Sequence, residues 1–369
     1  MKSVIIVGGG LAGLVSANLL ARQGIRVLLI ERKTYPFHRV CGEYISNETI
    51  PFLKRHEIYP GEFDLPSISR LQVTSVNGKS ALLPLDLGGF GISRYTFDHF
   101  LYQKALKQGA EFLLNTEVTQ VQFNNERFYV KAGNTTFEAD LVIGAYGKRS
   151  RLDVSLNREF MRHRSPFAGV KYHIHTDHPA DLISLHNFKD GYCGLSQVDG
   201  GKFTLCYLTH SQNLKRYGSI KQVETQVLHR NPFLKSVFTN SHFLFDRPEV
   251  INEITFATKQ PVENHLLMTG DAAGMITPLC GNGMAMAIHS AKLVSELIIN
   301  FAAGAMNRTQ LESEYQTQWN SKFARRLWVG RQIQRLFGND WTSNLAVNLM
   351  RNVRPMADYL VRRTHGVPF

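Results

Sequence analysis

Ser3-Val4-Ile5-Ile6-Val7-Gly8-Gly9-Gly10-Leu11-Ala12-Gly13 opens the chain, and its reading decides the fold. Residues 4–7 are all apolar, as in a short strand buried on both faces. Three glycines interrupt the run. A helical pattern follows from Leu14 to Gln23, and Gly24 supplies the stop. Arg26 to Ile30 reads as a second strand with Glu31 at its end. This is one βαβ unit within about thirty residues.

A glycine turn between a strand and a helix is built to receive phosphate. Backbone N–H groups and the positive end of the helix dipole point at whatever lies above the turn. Gly8 permits the tight bend, Gly10 removes a side chain that would block a pyrophosphate, and Gly13 lets helix and strand pack. Glu31, eighteen residues after Gly13, is placed to accept hydrogen bonds from ribose hydroxyls. A carboxylate there repels a 2′-phosphate, so NADP is disfavoured at this turn.

Farther along, Thr96–Gln108 reads as an amphipathic helix ended by Gly109. Glu111–Asn115, Thr119–Asn124 and Arg127–Ala132 read as strands, and Asp140–Ala145 as an apolar one. The pattern then turns to β: Gly169–His175, Leu182–Phe188, Tyr192–Gln197 and Lys202–Thr209, with Asp199-Gly200-Gly201 as the last turn. A strand at His265–Thr269 and a long helix at Gly283–Phe301 follow, and the remainder reads as helical. The expected fold is α/β, a Rossmann-like nucleotide domain with an inserted β-rich substrate domain and C-terminal helices. The expected boundaries are 1–70, 90–160 and 260–305 for the discontinuous nucleotide domain, 71–89 and 161–259 for the β-rich domain, and 306–369 for the helices. A chain of 369 residues, 43% hydrophobic, supports a core of that size.

A second glycine-rich stretch, Gly270-Asp271-Ala272-Ala273-Gly274, follows directly on the strand His265–Thr269. Pro278 and Gly281-Asn282-Gly283 come next, before the long helix. Here the chain resembles the FAD-dependent oxidoreductases that include aromatic-ring hydroxylases, geranylgeranyl reductases and flavin-dependent halogenases. Ser93-Arg94 with Phe97-Asp98-His99-Phe100-Leu101 matches the Arg and Phe-Asp-x-x-Leu of that group. His38-Arg39-Val40-Cys41-Gly42-Glu43 looks like its segment beside the flavin. The resemblance implies FAD, with Asp271 at the ribityl or pyrophosphate region and the Gly281–Gly283 backbone at the flavin's pyrimidine edge. N–H dipoles there would stabilise the negative charge of reduced flavin. The implied cofactor set is Gly8, Gly10, Leu11, Ala12, Gly13, Glu31, Arg32, Arg39, Cys41, Gly42, Arg94, Val118, Gly147, Gly270, Asp271, Pro278, Gly281, Asn282, Gly283 and Met284. Cys41 and Glu43 are the candidate catalytic groups. Against this stand plainer readings: Cys41 as a buried filler, Glu43 as an exposed loop carboxylate, Arg94 in a surface salt bridge, and Asp98 as a first-turn helix carboxylate.

The hydroxylase Asp-Gly motif departs here to Tyr146-Gly147, which puts a standard NADPH contact in doubt. Lys148, Arg149 and Arg151 offer an alternative attraction for an anionic electron donor. NADPH or NADH remains the candidate donor. Neither the halogenase Trp-x-Trp motif nor the full reductase substrate motif is present. Two activities fit a hydrophobic, phenolic or lipid-like substrate: monooxygenation, which is preferred, and reduction of an isoprenoid double bond. Phe167, Tyr172, Leu182, Leu185, Phe188 and Leu205 are the expected pocket wall. A third reading, a non-catalytic lipid carrier on the same scaffold, is opposed by the retained glycines, Glu31 and Asp271.

The fourteen histidines form no His-x-x-x-His or His-Glu-x-x-His set, so no metal is expected. Four scattered cysteines suit a reducing cytosol. The formal charge of +12 is concentrated near the end: nine Lys/Arg between Ser321 and Phe369 face only Asp340 and Asp358. A solvated helical face and a peripheral contact with anionic lipid both account for this. No nucleic-acid motif accompanies the charge. The expectation is a cytoplasmic protein that touches the inner face of the membrane through its C-terminal region.

Overall fold

The computed structural model describes residues 2–162, 164–277, 281–334, 338–352 and 366–369. Parallel strands form its first sheet, in the order Leu266–Met268, Leu141–Gly144, Ser3–Val7, Arg26–Ile30 and Glu111–Leu113, with Val262–Glu263 antiparallel at one edge. Ser3–Val7 is buried throughout because neighbours flank it on both sides and helices cover it. The helix Leu11–Arg22 starts directly on the glycine turn, three residues earlier than the apolar pattern suggests. It packs on the helices Arg94–Lys107 and Gly283–Ala302. The latter is long and apolar enough to cross a membrane, but two thirds of it is buried here as a core helix.

Gly8 and Gly13 show why glycine is required at the turn. Gly8 has φ +103°, and a side chain there would strike the Ala145 carbonyl and the Tyr146 backbone. A side chain at Gly13 would collide with the Gly8 carbonyl oxygen.

Strands Phe167–His175, Phe203–His210, Gly191–Gln197 and Leu182–Phe188 form an antiparallel run. Segments that sequence patterning missed extend this second sheet. Ser67–Thr74 pairs in parallel with Leu182–Phe188, and Ser80–Gly91 and Tyr44–Ser46 continue beyond it. Glu249–Ile254 pairs with Phe167–His175 at the other side. A third, three-stranded sheet comprises Val118–Asn124, Arg127–Ala132 and Thr135–Ala139.

Strand alternation sorts the second sheet into two faces. Val170, Tyr172, Ile174, Phe188, Leu205 and Tyr207 pack in one cluster with Val223, Val227, Leu228 and Leu234 of the helical segment 220–240. Gly169, Lys171 and His173 occupy the alternate positions, and Lys171 and His173 are buried. The helices Arg308–Trp319, Arg325–Gln334 and Asp340–Asn352 follow.

Candidate cofactor and active site

One cavity of about 710 Å³ lies at the C-terminal ends of the parallel strands, lined by Val7, Ile30, Ala145 and Thr269. This is where open α/β sheets place their ligands, and the volume suits a small-molecule site. Two helices begin at its wall. Leu11 and Ala12 of Leu11–Arg22 line it, as do Gly283 and Met284 of Gly283–Ala302. Neither helix has a side-chain cap or an acidic residue in its first turn. Both positive helix ends are therefore directed at a common space.

Gly10 opens towards the cavity. A Cβ there would have the Ala145 carbonyl and the Arg94 guanidinium as its nearest neighbours, both at 3.9 Å. Glu31 lies at the cavity wall, its carboxylate accepting from the Gly9 N–H (2.8 Å) and the Lys33 N–H (3.1 Å). Arg32, Arg39, Cys41, Gly42, Glu43, Val118, Gly147, Gly270, Asp271 and Gly281 line the same cavity. Gly13 does not; it sits at the strand–helix contact. Asn282 is fully buried at the start of the second helix and does not line the cavity either. Pro278 lies outside the described residues.

Asp98 holds two of the cationic groups. Its carboxylate accepts from Arg94 Nε (2.7 Å) and Nη2 (2.8 Å), and from Arg39 Nε (3.1 Å). Arg39 also donates to the Gly9 carbonyl at 3.1 Å. Arg94 is therefore no surface salt bridge, and Asp98 does more than favour a helix start. The carboxylate fixes two guanidinium groups beside the glycine turn. At the second turn, Ser290 Oγ accepts from the Gly270 N–H (2.9 Å). Lys259 Nζ donates to the carbonyls of Lys148 (2.6 Å) and Asp271 (2.8 Å). Burial lowers the Lys259 ammonium to about 8. Burial raises the Asp271 carboxyl, opposed by Lys259, Arg94 and Lys148.

Glu43 is not an exposed loop carboxylate. It is fully buried, with φ +53°. Its carboxylate accepts from Lys171 Nζ and from the Arg94 N–H (2.8 Å), and lies 2.6 Å from His173 Nε2. Burial by itself would raise this carboxyl, but Lys171 and His173 outweigh it and hold the group at about 2. Lys171 Nζ also donates to the Arg39 carbonyl at 3.2 Å, tying the segment 38–43 to the inserted sheet. Nothing in the motifs pointed to Lys171 or His173. The alternation of Val170, Tyr172 and Ile174 with Lys171 and His173 was visible, but it resembles an ordinary solvated strand face. His38 stacks on Tyr95 at 4.7 Å between ring centres, and burial with Lys171 nearby pushes its imidazole down to about 4. Burial pushes the Cys41 and Cys206 thiols up, Cys206 to about 12; both line the cavity.

The expected pocket wall needs correction. Tyr172, Phe188 and Leu205 face the helices on the far side of the second sheet. Of the six expected residues only Leu185 lines the cavity. The apolar wall is made instead by Leu71, Leu85, Ile183, Leu185 and Leu208. At the missing Asp-Gly motif, the Tyr146 hydroxyl donates to Asp153 Oδ1 at 3.2 Å. Asp153 is in turn paired with the buried Arg158 at 3.0 Å and caps its own short helix, so it does not substitute for the absent aspartate. Arg149 is paired with Glu253 at 3.2 Å, and Arg151 is largely exposed.

Comparison with known proteins agrees with this geometry. The chain is 24% identical over 338 residues to a digeranylgeranylglycerophospholipid reductase of Methanosarcina acetivorans, covering 86% of this chain and 80% of the relative. Its fold is similar to that of the flavin-dependent brominase Bmp2, with a TM-score of 0.78 and 18% identity over 98% of this chain and 93% of the other. It is also similar to PqsL of Pseudomonas aeruginosa, described as a probable FAD-dependent monooxygenase, with a TM-score of 0.74 and 16% identity over 93% and 98%. The family described as FAD binding domain matches residues 1–321, most of the chain. With its two glycine turns at one cavity, the chain belongs to that FAD-binding family and is an FAD-dependent oxidoreductase.

Proposed function

We propose that this oxidoreductase is a monooxygenase that hydroxylates a hydrophobic, phenolic or lipid-like small molecule. One observation carries the reading: a single cavity joins the two helix N-termini and Asp271 to the apolar wall of the inserted sheet. The polar end suits the FAD phosphates and ribityl chain. Glu31 suits the ribose, and the Gly281–Gly283 backbone suits the ring's pyrimidine edge. The apolar end suits a substrate that must meet reduced flavin and oxygen away from water. In that reaction one oxygen atom enters the substrate and the other leaves as water. The two electrons come from NADPH or NADH, through the flavin.

A second reading is favoured by Cys41 and Cys206. Both thiols line the cavity, and burial pushes both upward. A protonated group there could supply the proton that accompanies hydride transfer to an isoprenoid double bond. Turnover under isotopically labelled oxygen separates the two. Label in the product supports monooxygenation. A saturated product formed without oxygen rejects it in favour of the reductase.

A further inference from the structure

We propose that the helices Arg325–Gln334 and Asp340–Asn352 form a docking face for an anionic phospholipid bilayer. The inference concerns a surface away from the cofactor and goes beyond the catalytic reading.

The outward side of each helix is unusual. On Asp340–Asn352, Trp341 is 72% exposed and Leu345, one turn later, is 45% exposed. The opposite stripe, Val347 with Met350, packs on Leu71, Val73 and Ala81. On Arg325–Gln334, Trp328 is 57% exposed and follows the exposed Arg325 by three residues. Soluble surfaces seldom present two tryptophans outward. Their amphipathic rings fit the level of lipid headgroups.

Charge selects the occupant. Lys322, Arg325 and Arg351 are exposed on this region, and residues 321–369 carry nine Lys/Arg against two Asp. Arg335, Arg354, Arg362 and Arg363 of that count lie outside the described residues. Outward aromatics beside the exposed Lys322, Arg325 and Arg351 match an anionic headgroup layer in both chemistry and sign. An apolar protein partner would need no such excess of positive charge.

Position adds a consequence. Ile333, on the same helix as Trp328, packs with Tyr192, Leu208, Ile254 and Met275. Leu71 belongs to the cluster under Asp340–Asn352. All five of these partner residues line the cavity. The docking helices are thus the outer backing of the apolar wall. Docking would bring the apolar end of the site close to a bilayer that dissolves hydrophobic molecules.

The test is flotation of the full chain with vesicles of phosphatidylcholine alone or mixed with phosphatidylglycerol, alongside tryptophan emission. The expected result is binding to the anionic vesicles, a blue shift from Trp328 and Trp341 over the fixed background of buried Trp319, and release by salt. Arg351→Glu should weaken binding by about fivefold or more. Trp341→Ser should weaken it by on the order of tenfold. Both changes are at exposed positions, and equal melting temperatures would verify that the variants fold. Three results would overturn the proposal: no flotation with anionic vesicles at low salt, binding unaltered in a Trp328→Ser/Trp341→Ser variant, or a dimer without lipid that this double variant converts to monomer.

Discussion

Lys171 and Glu43, 128 residues apart in sequence, meet as an ion pair in which both side chains are fully buried. One comes from the inserted sheet and the other from the segment that follows the second strand of the nucleotide domain. Their contact fixes the segment 38–43 against the strand Phe167–His175 beside the cavity.

Removing one partner leaves an uncompensated buried charge, so Lys171→Met should cost about 3–5 kcal/mol of stability. Lys171→Met combined with Glu43→Gln should cost clearly less than the sum of the single changes. Urea denaturation of the four proteins in the cycle checks this. Additive losses would show that the pair is not coupled.

The same pair makes stability depend on acid. The Glu43 carboxyl is held at about 2 in the folded chain, below its ordinary value of 4.5. A depressed carboxyl contributes stability that is fully present above the unfolded value and is lost as pH falls through the folded one. The loss should therefore develop between about 4.5 and 2, amounting to about 3 kcal/mol. His173, also pushed down by burial, acts in the same sense at higher pH. The Lys171→Met/Glu43→Gln variant should show a shallower acid transition than the parent, measured by melting temperature against pH.

The two glycines of the first turn should fail differently. A Cβ at Gly10 enters open cavity, with no neighbour closer than 3.9 Å. Gly10→Val should fold with an unchanged melting temperature and lose FAD affinity by about a hundredfold or more. A side chain at Gly13 strikes the Gly8 carbonyl, so Gly13→Val should be destabilised by about 1–3 kcal/mol or more whether or not flavin is added. Calorimetry with and without FAD distinguishes the two.

The fold was legible where local pattern and neighbours agree. Arg26–Ile30, Arg127–Ala132 and Leu182–Phe188 appear with the expected bounds. The glycine turns were legible because phosphate chemistry demands them. Tyr44–Ser46, Ser67–Thr74 and Ser80–Gly91 were not, because short or irregularly alternating strands depend on partners far away in the chain. Lys171 and His173 were hidden for a related reason: alternation shows that a strand has a polar face, but not that residues 38–43 cover it. The misplaced pocket wall has the same origin. Tyr172, Phe188 and Leu205 are apolar enough for a pocket, and the helices beyond Ser211 were needed to show which side they face.

Asp271→Ala should lower flavin retention by on the order of tenfold or more while sparing the fold. The Asp271 carbonyl that accepts from Lys259 survives the change. The ratio of flavin to protein absorbance after gel filtration, read with the melting temperature, tests this. Full occupancy in the variant would remove Asp271 from the cofactor site.

A crystal structure of the chain with FAD bound tests the central claim most directly. The account predicts the pyrophosphate at the N-terminus of Leu11–Arg22, a ribose hydroxyl on Glu31, and the ring's pyrimidine edge at the Gly281–Gly283 backbone. FAD bound elsewhere, or touching only one of the two helix ends, would contradict it.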